Sequence, residues 1–243
     1  MSGWPARAYR AEMGSRLVTV TFDAHDPARL AKFWSEMLAR EVVEAAGGAL
    51  LRGDERQLGL RFLPSRADRD GPNRMHLHLT STSLDDQQRT VTKALELGAR
   101  HHDVGQRPEE GHVVLADPEG NEFCVIEPDN AFLDSCGFLG ELACDGTRAV
   151  GLFWSEALGW SLVWDQDEET AIQSPRGGTK VAWGGPSNTP RMDRNRQRFE
   201  LTPEGDQAAE VDRLVALGAT RLECGDDGAV TLADPEGNEF CVA

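Results

Sequence analysis

The sequence predicts an α+β fold built from tandem βαβββ modules. Three observations carry that prediction. The stretch Leu115-Ala116-Asp117-Pro118-Glu119-Gly120-Asn121-Glu122-Phe123-Cys124-Val125 returns unchanged as Leu232 through Val242, so the chain is a tandem duplication. Within each copy, amphipathic helical stripes alternate with short β-branched runs. Proline- and glycine-marked turns separate them at matching places. The repeat extends further, because Phe33-Trp34-Ser35-Glu36 recurs as Phe153-Trp154-Ser155-Glu156 and Leu97-Gly98-Ala99 as Leu217-Gly218-Ala219.

Residues 1–15 show no period and read as a mobile N-terminal arm. A first domain then spans residues 16–128. Leu17-Val18-Thr19-Val20-Thr21-Phe22-Asp23 is β-branched and strand-like. Asp26 stands as an N-cap with Pro27 in the first helical position. Leu30, Phe33, Trp34, Met37 and Leu38 follow at helical spacing and mark one buried face. Short strands are expected near residues 41–44, 49–52 and 58–63. Met75-His76-Leu77-His78-Leu79 alternates in period two and opens a second strand–helix series. Ser83 and Asp86 form a capping box for a helix over residues 84–97, which Gly98 ends. Residues 112–116 and 122–127 are strands joined at Asp117-Pro118-Glu119-Gly120, where Pro118 presets φ and Gly120 permits φ > 0. Residues 129–136 read as a linker, and a second domain spans residues 137–243. Its helical stripes are Val150, Phe153, Trp154, Ala157 and Leu158, and then residues 209–217, closed by Gly218.

Composition narrows the function. The 243 residues carry 41 acidic and 25 basic side chains, a net charge of −16. That sign repels phosphate backbones, so no nucleic-acid partner is expected. The five cysteines, Cys124, Cys136, Cys144, Cys224 and Cys241, show no CxxC spacing. With no secretory signal and no long apolar run, the expectation is a cytoplasmic protein with reduced thiols and no membrane partner.

The motif order resembles the vicinal oxygen chelate superfamily, the group of glyoxalases, bleomycin-resistance proteins and extradiol dioxygenases. The resemblance runs from residue 16 to 243 and is closest to glyoxalase-like domains with a Phe-Trp helix. It implies paired modules folded into two curved, partly open barrels, each around a cavity. It also implies, for metal-dependent members, ligands on the first, fourth, fifth and last strands of a pair. Those places fall on Thr19, the stretch 60–62, His76 and Cys124. In the second domain they fall near Glu141, on Arg198 in place of His76, and on Cys241 in place of Cys124. Only His76 is a good metal ligand among them, and Arg198 repels a cation.

Several residues then compete for a role. His76 and His78 are i, i+2 on a strand and share a face, so two imidazoles can grip one transition metal, with Asp23 or Cys124 as a third ligand. The plainer reading makes one a hydrogen-bonding group and leaves the other at the cavity mouth. Cys124 and Cys241 offer thiols, but Glu122 and Glu239 on the same faces oppose their ionisation, and buried structural cysteines are the simpler reading. Trp183, ahead of Gly184-Gly185, reads either as a stacking platform beside Arg198 and Glu200 or as core. His101 and His102 read as exposed, and the run 165–169 as a solvated acidic loop.

The expected ligand pocket is therefore drawn from Thr19, Thr21, Asp23, His76, His78, Cys124, Trp183, Arg198, Glu200 and Cys241. The leading reading is metal-independent binding or sequestration of a metabolite or antibiotic, with no cofactor. A second is a lyase, isomerase or dioxygenase using zinc, manganese, iron or nickel at His76 and His78. A third is a metal-free enzyme using Asp23, His76 and Glu200 as acid–base groups. The partner is a small molecule, and the fused pair of domains suits a monomer or a homodimer.

Overall fold

The computed structural model describes residues 14–45, 47–67, 71–107, 109–185, 195–222 and 228–243. Most of the expected arm, together with Cys224, lies outside the described residues. Ser15 already belongs to the first strand.

Four βαβββ modules follow one another. The first contains β1 (Ser15–Ala24), α1 (Pro27–Leu38), β2 (Val42–Ala45), β3 (Gly48–Leu51) and β4 (Gly59–Pro64). The second contains β5 (Met75–Leu79), α2 (Leu84–Glu96), β6 (Arg100–His101), β7 (Val113–Ala116) and β8 (Glu122–Val125). A 3-10 turn, Ala131–Leu133, lies between the halves. The third module contains β9 (Leu139–Cys144), α3 (Arg148–Leu158), β10 (Ser161–Gln166), β11 (Glu169–Gln173) and β12 (Lys180–Trp183). The fourth contains β13 (Gln197–Pro203), α4 (Gln207–Leu217), β14 (Thr220–Arg221), β15 (Val230–Ala233) and β16 (Glu239–Val242).

Local chemistry explains these boundaries. The Asp26 side chain accepts from the Arg29 amide and caps α1, with Pro27 just inside. Ser83 accepts from the Asp86 amide and caps α2. The acidic run is not a loop as expected. Asp165 lies in β10 and Glu169 in β11, and Asp167 and Glu168 form the hairpin tip with φ of 51° and 68°. Two successive positive φ values match the right-handed strand twist of a tight hairpin. Asp165 is bound through both oxygens by Arg148, at 2.6 and 2.7 Å.

The modules pair across the duplication. One open, curved sheet has the order β14-β15-β16-β13-β1-β4-β3-β2, and the other β10-β11-β12-β9-β5-β8-β7-β6. The first module therefore shares a sheet with the fourth, and the second with the third. The joints are the antiparallel pairs β1–β13 and β5–β9. A loop contact reinforces this exchange. The Gln57 side chain donates to the Cys136 carbonyl at 2.8 Å and accepts from the Leu139 amide at 3.0 Å.

The helices cover one face of each sheet. Leu30, Phe33, Trp34 and Met37 of α1 are buried, and Trp34 meets Phe123 of the other sheet edge-on at 5.1 Å. In the same way Trp154 of α3 meets Phe199 and Phe240, each at 4.8 Å. Each such side chain contributes about 1.5–3 kcal/mol by leaving water. Strand alternation sends the intervening residues to the opposite faces, which bear the polar groups. No helix among the described residues is long and apolar enough to cross a membrane.

Candidate functional site

The helix-free face of the β5–β9 sheet gathers ionisable side chains in one row. Parallel pairing sets His78 beside Cys124, and antiparallel pairing sets it beside Glu141. Lys180 of β12 follows, next to Glu141. The row thus reads Cys124, His78, Glu141, Lys180 across four strands. His78 Nδ1 lies 2.6 Å from Glu141 Oε2, and His78 is also hydrogen-bonded to Cys124. His76, two residues along, brings its ring centroid within 4.8 Å of that of His78.

The donor atoms of His76, His78 and Cys124 all lie within 4.8 Å of one another. Their environments differ. Burial, the neighbouring His78 and then His112 push the His76 pKa down to about 3. Burial also works against a charge on His78, but the hydrogen bonds to Cys124 and Glu141, with the charges on those groups, outweigh it and raise the pKa to about 10. One imidazole is thus kept neutral and its neighbour charged.

Small side chains and a cover surround this row. Ala143 stands opposite His76, Ala182 beside Ala143, and Ala171 beside Ala182, so the row next to the imidazole carries only methyl groups. The linker forms a roof. Its Leu133 and Cys136 pack with Val114, Cys124 and Ile126, and Phe132 lies against that cluster. Lys180 Nζ sits 4.2 Å from the centre of the Phe132 ring and donates to the Phe132 carbonyl. Cys124 is accordingly only 5 % exposed. His102, expected to be exposed, instead approaches Glu122 at 3.8 Å, because β6 joins the edge of this sheet.

The other expected pocket residues sit on the β1–β13 sheet. Arg198 pairs with Thr21 and Glu200 with Thr19, while Cys241 lies beside Glu200. Arg61 of β4 stands next to Thr21. Glu200 accepts from Arg61 Nη1 at 2.7 Å and from Thr21 at 3.1 Å. Arg198 Nη1 donates to Asp23 Oδ1 at 2.8 Å.

The structure thus divides the expected pocket into two floors. His76, His78 and Cys124 come together. Thr19, Thr21, Asp23, Arg198, Glu200 and Cys241 form a separate face. Asp23 is therefore no third ligand for His76, and Asp23, His76 and Glu200 do not form one acid–base set. The cause is the exchange of modules, which puts β1 and β5 in different sheets. Trp183 lines neither floor. It shares the face of Val181, is 2 % exposed and is packed against Gly146, so it is core.

Sequence reasoning passed over Arg61 and Lys180. Arg61 had a visible signal, as the lone charge between Leu60 and Phe62 in an alternating strand. Glu141 falls at a ligand place of the second domain, but its partner His78 is 63 residues away. The apolar contacts of the linker with the Cys124 face had no periodic signal at all.

Comparison with known proteins agrees with this architecture. The glyoxalase-like domain family matches residues 19–126 and again 141–243. Glyoxalase I from Zea mays superposes with a TM-score of 0.65 at 14 % identity, over 95 % of this chain and 92 % of that one. A putative dioxygenase from Bacillus subtilis superposes with a TM-score of 0.59 at 14 % identity, over 96 % of this chain and 85 % of that one. At such identities the likeness is one of fold. No curated protein sequence matches the chain.

Proposed function

The chain belongs to the glyoxalase-like domain family, carried in tandem within the vicinal oxygen chelate superfamily, and from that premise we propose that its working site is the helix-free face of the β5–β9 sheet. There His76, His78 and Cys124 would hold a zinc-type divalent cation beside the binding place of a small oxygen-bearing molecule. The observation that carries this reading is the convergence of the three donors within 4.8 Å. Two imidazoles and a thiolate suit zinc far better than magnesium or calcium. Glu141 supplies outer support, because a carboxylate on His78 Nδ1 fixes the ring and leaves the other nitrogen to the cluster.

A bound cation supplies Lewis acidity toward a substrate oxygen. The remaining tasks fall to the chain itself. The three alanines make the row beside His76 small and apolar, and Phe132 and Leu133 of the linker keep water from the Cys124 side. Glu122 shares the strand face of Cys124 and offers a carboxylate for moving a proton. The reaction classes that fit a redox-inert cation of this kind are lyase and isomerase chemistry, whereas dioxygenase chemistry would need iron or manganese on the same donors.

Elemental analysis tests the reading. Protein stripped with a chelator, incubated with Zn²⁺, Mn²⁺, Fe²⁺ or Ni²⁺ and desalted should retain about one zinc per chain. His76→Ala and Cys124→Ser should lose it, and Arg61→Gln should keep it. Wild-type protein that retains no metal would sink the proposal.

One separate observation favours metal-free binding of a metabolite or antibiotic. His78 is hydrogen-bonded on both sides and stays charged up to about pH 10. An imidazolium has no lone pair for a cation and instead donates to a ligand oxygen. Saturable quenching of tryptophan fluorescence in chelator-treated protein is the expected sign of that alternative.

A further inference from the structure

The two floors differ in charge as well as in place. His76, His78 and Cys124 on one sheet correspond in the duplication to Arg198, Glu200 and Cys241 on the other. Above the β1–β13 floor lies a cavity of about 770 Å³, within the size range of small-molecule sites. Thr19, Arg61 and Glu200 line its base. Leu50, Leu58 and Trp160 line its apolar part. Its walls come from both halves, because the turn before β12 docks on the loop before β4. The Thr179 amide donates to the Arg56 carbonyl at 2.8 Å there, and a Cβ on Gly178 would stand 1.7 Å from that oxygen.

The electrostatics of this cavity run against those of the whole molecule. The chain carries −16, yet five arginines line the cavity, at positions 16, 52, 56, 61 and 176, against four carboxylates. Arg176 is paired with Glu55, and Arg56 donates to the Ser135 carbonyl. Arg16 and Arg52 are exposed and, among the described residues, carry no ion pair. At the base, Arg61 uses Nη1 on Glu200, its side chain is 24 % exposed, and its Nη2 has no acceptor among the described residues. Glu200, held by Arg61 and Thr21, fixes the guanidinium and leaves Nη2 open to an acceptor arriving from the cavity.

We infer that this cavity is a second small-molecule site that works without metal and takes a carboxylate-bearing ligand on Arg61, with the ligand's apolar part against Leu50, Leu58 and Trp160. The guanidinium fork matches a carboxylate in shape and charge. Arg16 and Arg52 at the rim offset the repulsion from Glu200 and draw an anion inward. A cation meets repulsion from Arg61 and finds Glu200 already occupied. The inference stands on different residues from the β5–β9 site and survives if that site proves metal-free.

Calorimetric titration of the full-length protein with 2-naphthoate and with its neutral analogue 2-naphthamide tests the assignment. Naphthoate should saturate and bind about tenfold more tightly than the amide, the margin of one charge-assisted hydrogen bond. Arg61→Gln should remove that margin, with circular dichroism checking that the variant is folded. Arg52→Glu, on the exposed rim, should weaken naphthoate about threefold without touching the base. His76→Ala should leave binding as it is. Absent binding, equal affinity for acid and amide, or naphthoate binding lost in His76→Ala and kept in Arg61→Gln would each overturn the assignment.

Discussion

Apart from Cys124 and Cys241, the residues that repeat most faithfully lie outside the two floors. Asp117 accepts from Trp34 Nε1 at 3.1 Å and from the Glu119 and Asn121 amides, each at 2.9 Å. Glu119 in turn accepts from the His25 and Asp26 amides at the start of α1. Asp234, Trp154, Glu236 and Asn238 repeat the arrangement in the second half. The duplicated turn is therefore a clamp that fastens a hairpin to a helix. Asp117→Ala should lower stability by about 1–3 kcal/mol, since it strands the buried Trp34 donor. A urea melt measures this, and Glu41→Ala, exposed between α1 and β2, is the control without effect. Parity with wild type would refute the clamp. The turn chemistry of Pro118 and Gly120 was plain from the residues themselves. The bond to Trp34 was not, because its partners lie 83 positions apart. The same limit hid His78 from Glu141 and Cys124.

Elements were more legible than contacts. Helix periodicity and caps act within a few residues, so α1 and α2 stand where their signals put them. The capping box of α2 gives a prediction with a definite sign. The Thr82 amide and hydroxyl both donate to Asp86, and with Arg89 they hold the Asp86 carboxyl below the usual carboxylate range. A folded pKa below the unfolded value, about 3.9, means stability that is present above that pH and lost as pH falls through the folded pKa. Asp86→Asn should therefore flatten the acid limb of a melting-temperature profile below about pH 4. Ser83→Ala should cost about 1 kcal/mol at neutral pH as well, since it removes the cap itself. An unchanged acid limb in the first variant would mean that other carboxylates set it. The short strands were the harder elements. Arg100–His101 and Thr220–Arg221 have two residues each, too few for any period. They exist because an edge was available to pair with.

At the scale of the whole molecule, the duplication could be read from the sequence, but the exchange of modules could not. Four similar modules can pair in several ways, and no residue pattern within one module names its partner strand. The consequence is that each floor needs both halves. Arg61 and Thr21 come from the first half and Glu200 from the second. His78 comes from the first half and Glu141 from the second. If residues 16–128 are produced alone, β1 loses β13 and β5 loses β9, so two central strands become edges. Such edges recruit new partners. The isolated half should therefore appear on size-exclusion chromatography with light scattering as a dimer or larger species, with a melting temperature well below that of the full chain. Mixing it with residues 137–243 should restore a one-to-one complex and, with it, zinc retention and naphthoate binding. A monomeric half that melted with the full chain would show that β1 and β5 can pair within one copy. The floors would then be properties of each half rather than of their union, and the contrast between the His76 and Arg198 faces would need a different origin from the crossed pairing described above.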